Sequence, residues 1–296
     1  MGKFVKYTAF ALLLLSKPAL PAETVMTYIH NAPESSRDHR YEFQWEILHT
    51  ALELTVATYG PYRIEPSVRM TEQRQRLELK NNTGKLSVMY LSTIPDFEAN
   101  LIPVRIPVVR NLEGYMIFLI RNEDESRFAA INSLNDLRQF SYGLGLGWID
   151  VDILKANGFR VVTGSDYDGL FEMLTEKRFD IFLRSTVEVI DEYEQRKALL
   201  PSLHIEDSII LYYPLPMYFW FAKSEAGKKL AERVEAGMRM MINDGTYDRL
   251  FDQYQRSKIE RLDLKHRKMF RMDNPFLGPE TPFDNKKLWF DPQTYQ

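Results

Sequence analysis

The sequence predicts an α/β protein made of two nested lobes, and three observations carry that reading. Strand-like and helix-like segments alternate in one series over 24–90 and in a second over 114–199, the order that lays helices over a sheet. Prolines mark two passages, near 103–112 and 212–216, between the series and after them. Beyond the second passage an aromatic strand and a long helical stripe bring the chain back, so it enters one lobe, builds the other and returns. Two such crossings make a hinge, and the cleft between lobes is the default place for a ligand.

In the first series Thr24 to Ile29 (TVMTYI) is β-branched and alternating, a strand. Tyr41 to Tyr59 carries Trp45, Leu48, Leu52 and Val56 at helical spacing and stops at Gly60-Pro61. Tyr62 to Val68 reads as a strand, Met70 to Leu79 as a charged helix closed by Asn81-Asn82-Thr83-Gly84, and Leu86 to Tyr90 as a short strand. Ile102 to Val109 holds Pro103 and Pro107, which suits a crossover or an edge segment. Gly114 to Ile120 (GYMIFLI) is a buried strand. The second series then runs through a short helix at Leu134, strands at 140–145, 160–163 and 180–183, and helices at 148–157, 168–178 and 187–199. Ile209 to Tyr213 and Met217 to Ala222 are strands on either side of Pro214-Leu215-Pro216. Ser224 caps a helix with Leu230, Val234, Met238, Met241 and Ile242 on one face, and Tyr247 to Gln255 forms the last helix.

Composition narrows the functions. The 296 residues suit about two domains, and 45% hydrophobic with 27% charged residues is globular. A net charge of -3 gives no field that would attract nucleic acid. The absence of Cys removes thiol nucleophiles, disulfides, iron–sulfur clusters and Cys-based zinc sites. The five His form neither HExxH nor HxxEH, so neither a metal nor a cofactor is expected.

Residues 1–22 read as a cleaved signal peptide: Lys3 and Lys6 precede an apolar run from Ala9 to Leu15, and Ala22 offers a small residue before Glu23. That run is far short of the about 20 apolar residues that span a membrane. No Cys follows the cleavage site, so a lipoprotein is not expected, and no twin-Arg pair is present. The expectation is a soluble periplasmic monomer of net charge -6 after Lys3, Lys6 and Lys17 are removed.

Four stretches carry a resemblance: Pro107 to Arg121, Ser133 to Gly158 (SLNDLRQFSYGLGLGWIDVDILKANG), Tyr167 to Leu183 (YDGLFEMLTEKRFDIFL), and Tyr218 to Tyr254, which ends in NDGTYDRLFDQY. Together they resemble the type II periplasmic solute-binding proteins, nearest the amino-acid-receptor branch of ABC transporters (extracellular solute-binding family 3). The resemblance implies a two-lobed clamshell that captures a small molecule and delivers it to a membrane permease or a sensor. It places lobe 1 at 23–111 plus 215–257, lobe 2 at 112–214 and a C-terminal extension at 258–296, expected to pack on the first lobe. The family's polar anchors for a free amino acid are replaced. Thr93 is followed by Ile94-Pro95-Asp96-Phe97-Glu98 without Arg, Leu146 stands in the glycine loop, and Ser185 stands where the family's Asp falls.

The expected ligand-binding residues are Tyr28, His30, Met70, Gln73, Thr93, Arg105, Trp148, Arg184 and Ser185. Tyr28 and His30 end the first strand, and Met70 and Gln73 open the second helix. Arg105 lies in the first crossover, where an Arg can hold a carboxylate in a bidentate pair; an inter-lobe ion pair is its plainer role. Arg184 ends a strand at the edge where open α/β sheets bind ligands, with a surface pair to Glu188 as the alternative. Arg184 and Ser185 suggest an anionic ligand, as do the N–H groups behind Trp148 at a helix start. The run Gly143 to Gly147 lacks the third glycine of a dinucleotide loop, since Trp148 stands there. No catalytic residue is expected. Two rival functions remain open: a dehydratase-like enzyme, for which Glu98 and His30 are the candidate acids, and an interaction module whose cleft is filled by side chains.

Overall fold

The computed structural model describes residues 1–2, 25–36 and 38–295. The expected signal peptide lies, from residue 3 onward, outside the described residues.

The first segment opens with β1 (Met26–His30), followed by α1 (Glu42–Leu54) and the single turn α2 (Val56–Tyr59), then β2 (Tyr62–Pro66) parallel to β1. In α1 the residues Phe43, Ile47, Leu48, Ala51 and Leu52 are buried, the three-and-four spacing of one helix face. Next come α3 (Glu72–Lys80), capped by the Thr71 hydroxyl, then β3 (Met89–Ser92), α4 (Pro95–Asn100) and β4 (Leu101–Val104). The expected single sheet is split into two pieces, bridged where Ser87 and Val88 donate their N–H groups to the Ile29 carbonyl at 2.9 and 3.2 Å.

The second segment holds β5 (Tyr115–Arg121), α5 (Leu134–Leu137), β6 (Ser141–Gly145), α6 (Ile149–Ala156), β7 (Arg160–Gly164), α7 (Tyr167–Thr175), β8 (Ile181–Ser185), α8 (Val189–Arg196), β9 (Leu203–Ile205) and β10 (Ile209–Tyr212). Every residue of β5 is buried, which explains its unbroken apolar run. The chain returns through β11 (Met217–Ala222), which pairs antiparallel with both β3 and β4. Pro103 therefore sits in an edge strand, where a missing N–H is tolerated. Two helices follow, α9 (Glu225–Asp244) and α10 (Thr246–Leu262). Helix α9 packs closely on α1: a Cβ on Gly237 would stand 2.1 Å from the Ala51 carbonyl oxygen, so only glycine fits.

The two crossings, 105–114 and 213–216, lie against each other. Asn111, fully buried with a left-handed φ of 61°, accepts from the Leu215 N–H at 2.6 Å and donates to the Tyr212 hydroxyl at 3.3 Å. A Cβ on Gly114 would fall 2.3 Å from the Tyr213 carbonyl oxygen. The crossings thus form a two-stranded hinge stapled at Asn111.

The C-terminal extension corrects one expectation. It does not pack on the first lobe alone. Residues 268–271 form β12, which adds to the second sheet parallel to β10 and gives the order β12-β10-β5-β8-β6-β7, with β9 also on β5. Asn274 then donates to the Pro214 carbonyl at 2.9 Å, in one crossing, and Phe290 donates its N–H to the Arg110 carbonyl at 2.7 Å, in the other. Tyr295 ends the strap by donating to Asp252 on α10 at 2.6 Å. Open edges of sheets invite such cover, and β10 without β12 would present unpaired backbone groups.

Candidate functional site

A cavity of about 70 Å³ lies between the two lobes. The first lobe supplies Arg40 and Tyr41 ahead of α1, Glu72 at the start of α3, and Tyr90 and Leu91 from β3. Facing them are Trp148, Ile149 and Asp150 at the start of α6, Arg184 and Ser185 at the end of β8, and Glu188 ahead of α8. Glu113, Met116, Leu215 and Met217 close the hinge side. A wider, open groove of about 620 Å³ runs where 286–295 meet α9 and α10; there Arg110 is paired with Asp248.

Arg40 is the first lobe's main intrusion into the cleft. Its side chain is 4% exposed and bonds Asp38 at 2.8 and 2.9 Å and Glu34 at 2.8 Å. The guanidinium lies 4.1 Å from the centre of the Tyr167 ring and 5.8 Å from that of Trp148, both across the cleft. Burial would push the Asp38 carboxyl up, but the Arg40 guanidinium and nearby N–H groups hold it below the usual carboxylate range.

Arg184 is spent on its own lobe. It grips Glu192 bidentately at 2.6 and 2.7 Å and reaches Glu188 at 2.9 Å. Tyr167 adds a bond to Glu192 at 2.6 Å, and Trp148 lies 4.9 Å from the guanidinium. The expected surface pair with Glu188 is therefore one arm of a buried triad. Because three carboxylate oxygens already occupy the fork, Arg184 is no free anchor for an anion.

The remaining charge is acidic. Glu113 accepts from the Tyr90 hydroxyl at 3.0 Å, Glu188 from Ser185 at 2.9 Å, and Asp150 from Tyr213 at 2.5 Å, while Arg76 bonds Glu72. Burial raises all four of these carboxyl groups. Glu113 is pushed up to about 8 by burial and then by the Glu188 charge. Asp150 also sits in the first turn of α6 and takes a backbone N–H there, so that helix start already has its anion.

Of the expected site residues, the structure brings Trp148, Arg184 and Ser185 to this cavity. The other six lie elsewhere. Tyr28 is buried under α9 and donates to the Leu230 carbonyl at 3.2 Å. His30 stacks on Trp45 at 4.4 Å. Met70 packs in a core with Leu79, Phe97 and Trp220 because the helix starts two residues later than expected. Gln73 is exposed, within 3.8 Å of where a Cβ of Gly147 would stand, at the mouth between the lobes. Thr93 is buried and donates to Glu98 at 2.5 Å. Arg105 bonds Glu98 at 2.5 and 3.0 Å and faces the groove beside Pro282. Glu98 and His30, the candidate acids, are thereby outside the cavity. Arg40, Glu72 and Glu113 are not among the residues expected from the sequence, and Glu188 is expected only as a surface partner of Arg184; the spacing of Arg184, Glu188 and Glu192 at four-residue steps is the signal that points to the buried triad.

No cluster of His, Asp and Glu among the described residues is arranged to hold a metal ion. No helix among them is long and apolar enough to cross a membrane.

No protein-family model and no curated protein matches the sequence. Solved structures do. An ancestral arginine-binding protein bound to arginine superposes with a TM-score of 0.56 at 17% identity, covering 77% of this chain and 98% of its own. The structure described for glutathione import through GshT and the cystine ABC importer of Streptococcus mutans gives 0.58 at 12% identity, covering 78% and 95%. An ancestral amino-acid-binding protein, a precursor of cyclohexadienyl dehydratase, gives 0.55 at 15% identity, covering 78% and 96%. The fold is that of the type II solute-binding proteins. Within that fold the cavity is the inter-lobe cleft, and the segment after β12 ties the two crossings of the hinge.

Proposed function

We propose that this chain is an exported solute receptor that captures a small molecule between its lobes and presents it to an ABC importer or a membrane sensor. The observation that carries this reading is that charged side chains from both lobes converge on one cavity beside a two-stranded hinge. A ligand that bonds both walls favours the closed form by the difference in its contacts with the two forms. The fold likeness to amino-acid receptors supports the reading. On this account residues 1–22 are removed on export, the mature chain is a periplasmic monomer without a lipid anchor, and no catalytic step occurs. Lobe 1 comprises 23–111 plus 215–257 and lobe 2 comprises 112–214, with 258–296 as the hinge strap.

The test is thermal melting of the chain from residue 23 against amino acids, peptides, amines and organic anions. A ligand at 100 times its Kd adds about 2.7 kcal/mol, a shift of about 5 °C for a chain of this size. Recovering the bound molecule unchanged separates a receptor from a dehydratase on the same fold.

A second reading rests on the cavity itself. At about 70 Å³ it is well under the roughly 300 Å³ of ordinary ligand pockets, and Arg40 already bridges the lobes. A lobe pair that holds itself shut would serve as an interaction module. A flat melting response, with a partner captured from the envelope, is what that reading expects.

A further inference from the structure

We infer that the cleft takes a small organic cation, a primary ammonium on a short aliphatic chain, rather than an anion or a free amino acid. This rests on the receptor reading and names its ligand class. It replaces the anionic ligand suggested by Arg184 and Ser185.

The donors on the cavity walls decide it. Arg184 serves Glu192 and Glu188, and Arg40 serves Asp38 and Glu34. Ser185 donates to Glu188, and the Tyr90 hydroxyl donates to Glu113. A ligand carboxylate entering here either strips one of these donors from a buried acid, leaving that acid unpaired at a cost of several kcal/mol, or adds a further acid beside Glu113, Asp150 and Glu188 with only the Glu113 proton to meet it. A free amino acid carries such a carboxylate and meets the same penalty.

The acceptors point the other way. Glu72, Glu113, Asp150 and Glu188 all line the cavity; Arg76 behind the wall meets Glu72, and Arg40 and Arg184 are the cations on the walls beside the other three. Both guanidiniums have further carboxylates behind them, in Asp38, Glu34 and Glu192. An ammonium brings three donors and no acceptor. It satisfies carboxylate lone pairs without displacing a donor. The rings of Tyr41, Tyr90 and Trp148 on the same walls suit a cation and the methylenes behind it. A volume of about 70 Å³ admits a headgroup of a few heavy atoms and no more.

The cation also resolves the crowding at Glu113. Tyr90, itself backed by Gln44, faces this group from the first lobe, and Ser185, Arg184, Glu188 and Tyr213 face it from the second. With Glu188 beside it, Glu113 keeps its proton to about pH 8. An ammonium held by ionised Glu113 must expel that proton. Affinity then rises with pH, by up to about ten-fold per unit below that value, and levels off above it.

The experiment is calorimetric titration of the chain from residue 23 with n-butylamine, putrescine, succinate and glutamate at pH 6, 7 and 8, repeated on Glu113→Gln. The expected result is heat from the amines only, affinity rising at least ten-fold from pH 6 to 8, and loss of that rise in Glu113→Gln. The pH series on the unaltered chain stands by itself if Glu113→Gln fails to fold. Binding of succinate or glutamate without the amines overturns the inference and leaves the receptor reading standing. Amine binding that is flat with pH removes Glu113 from the site and overturns the inference as argued. No binding by any probe, with a flat melting panel beside it, removes the receptor reading and this inference together.

Discussion

Replacing Arg40 by Ala measures how firmly the lobes hold each other. The guanidinium makes two kinds of contact. Its bonds to Asp38 and Glu34 stay within the first lobe, whereas its stacking on Tyr167 at 4.1 Å crosses the cleft. A desolvated cation–π contact contributes about 1–2 kcal/mol. That part is lost only from the closed form, so the closed-to-open ratio falls roughly 5- to 30-fold. The other part acts on the whole fold. Asp38 has no exposed side-chain surface, and removing its guanidinium leaves a buried carboxylate with backbone donors alone, costing about 3 kcal/mol. Arg40→Lys separates the two, because an ammonium can still face Asp38 but has no planar face to lay on Tyr167. Small-angle scattering reads closure through the radius of gyration, and denaturant titration reads stability. Arg40→Ala is expected to open and destabilise the chain, and Arg40→Lys to recover stability more than closure. If both variants stay as compact as the parent, Arg40 does not bridge the lobes and the latch argument is refuted.

Three further outcomes follow from the hinge and the strap. Phe290 is 6% exposed between Tyr115, Phe251 and Tyr295, so Phe290→Ala should cost about 3–4 kcal/mol in urea titration; a loss under about 1 kcal/mol would mean the strap is loosely held. Asn111→Ala should cost about 2 kcal/mol or more, through the lost bond to the Leu215 N–H and a left-handed φ, and Asn111→Gly should cost less because glycine relieves the backbone; equal losses would show that the left-handed backbone is not the issue. Because the Glu113 pKa is raised to about 8 in the fold, the folded chain binds more protons than the unfolded one between the ordinary carboxylate range and pH 8. Stability from this group is therefore full in acid and declines as pH rises towards 8, by at most about 1.4 kcal/mol per unit, and denaturation of Glu113→Gln at pH 5 to 8 should show a flatter profile than the parent.

The architecture was legible where periodicity is strong. The aromatic strand Met217–Ala222 and the helix after Ser224 match the structure because one is fully patterned for a sheet interior and the other keeps a single apolar stripe. Strand β12 was not legible. Its sequence, KMFR, is short and half basic, and only the open side of β10 makes it a strand. In the cleft, Trp148, Arg184 and Ser185 could be found because strand ends and a glycine loop mark them. Glu188 was legible as a partner of Arg184 but not as a cleft residue, and Arg40 and Glu113 were not legible at all, since lone charges in loops read as solvated until the fold buries them against one another. Thr93 and Arg105 were drawn away from the cleft by Glu98, a partner that linear order alone does not assign to either.

The central claim is that a small ligand closes two lobes over one cavity. With no native Cys, labels introduced as Gln73→Cys and Leu146→Cys report on the cleft mouth alone; Gln73 and Leu146 are both exposed, one on each lobe. The measurement is the distance between two spin labels at these sites, with and without saturating n-butylamine and then the wider panel. A distribution with a long component that ligand removes, and that Arg40→Ala enlarges, is the result this account predicts. A distribution that no probe alters would contradict it and leave the lobes as a fixed interaction module.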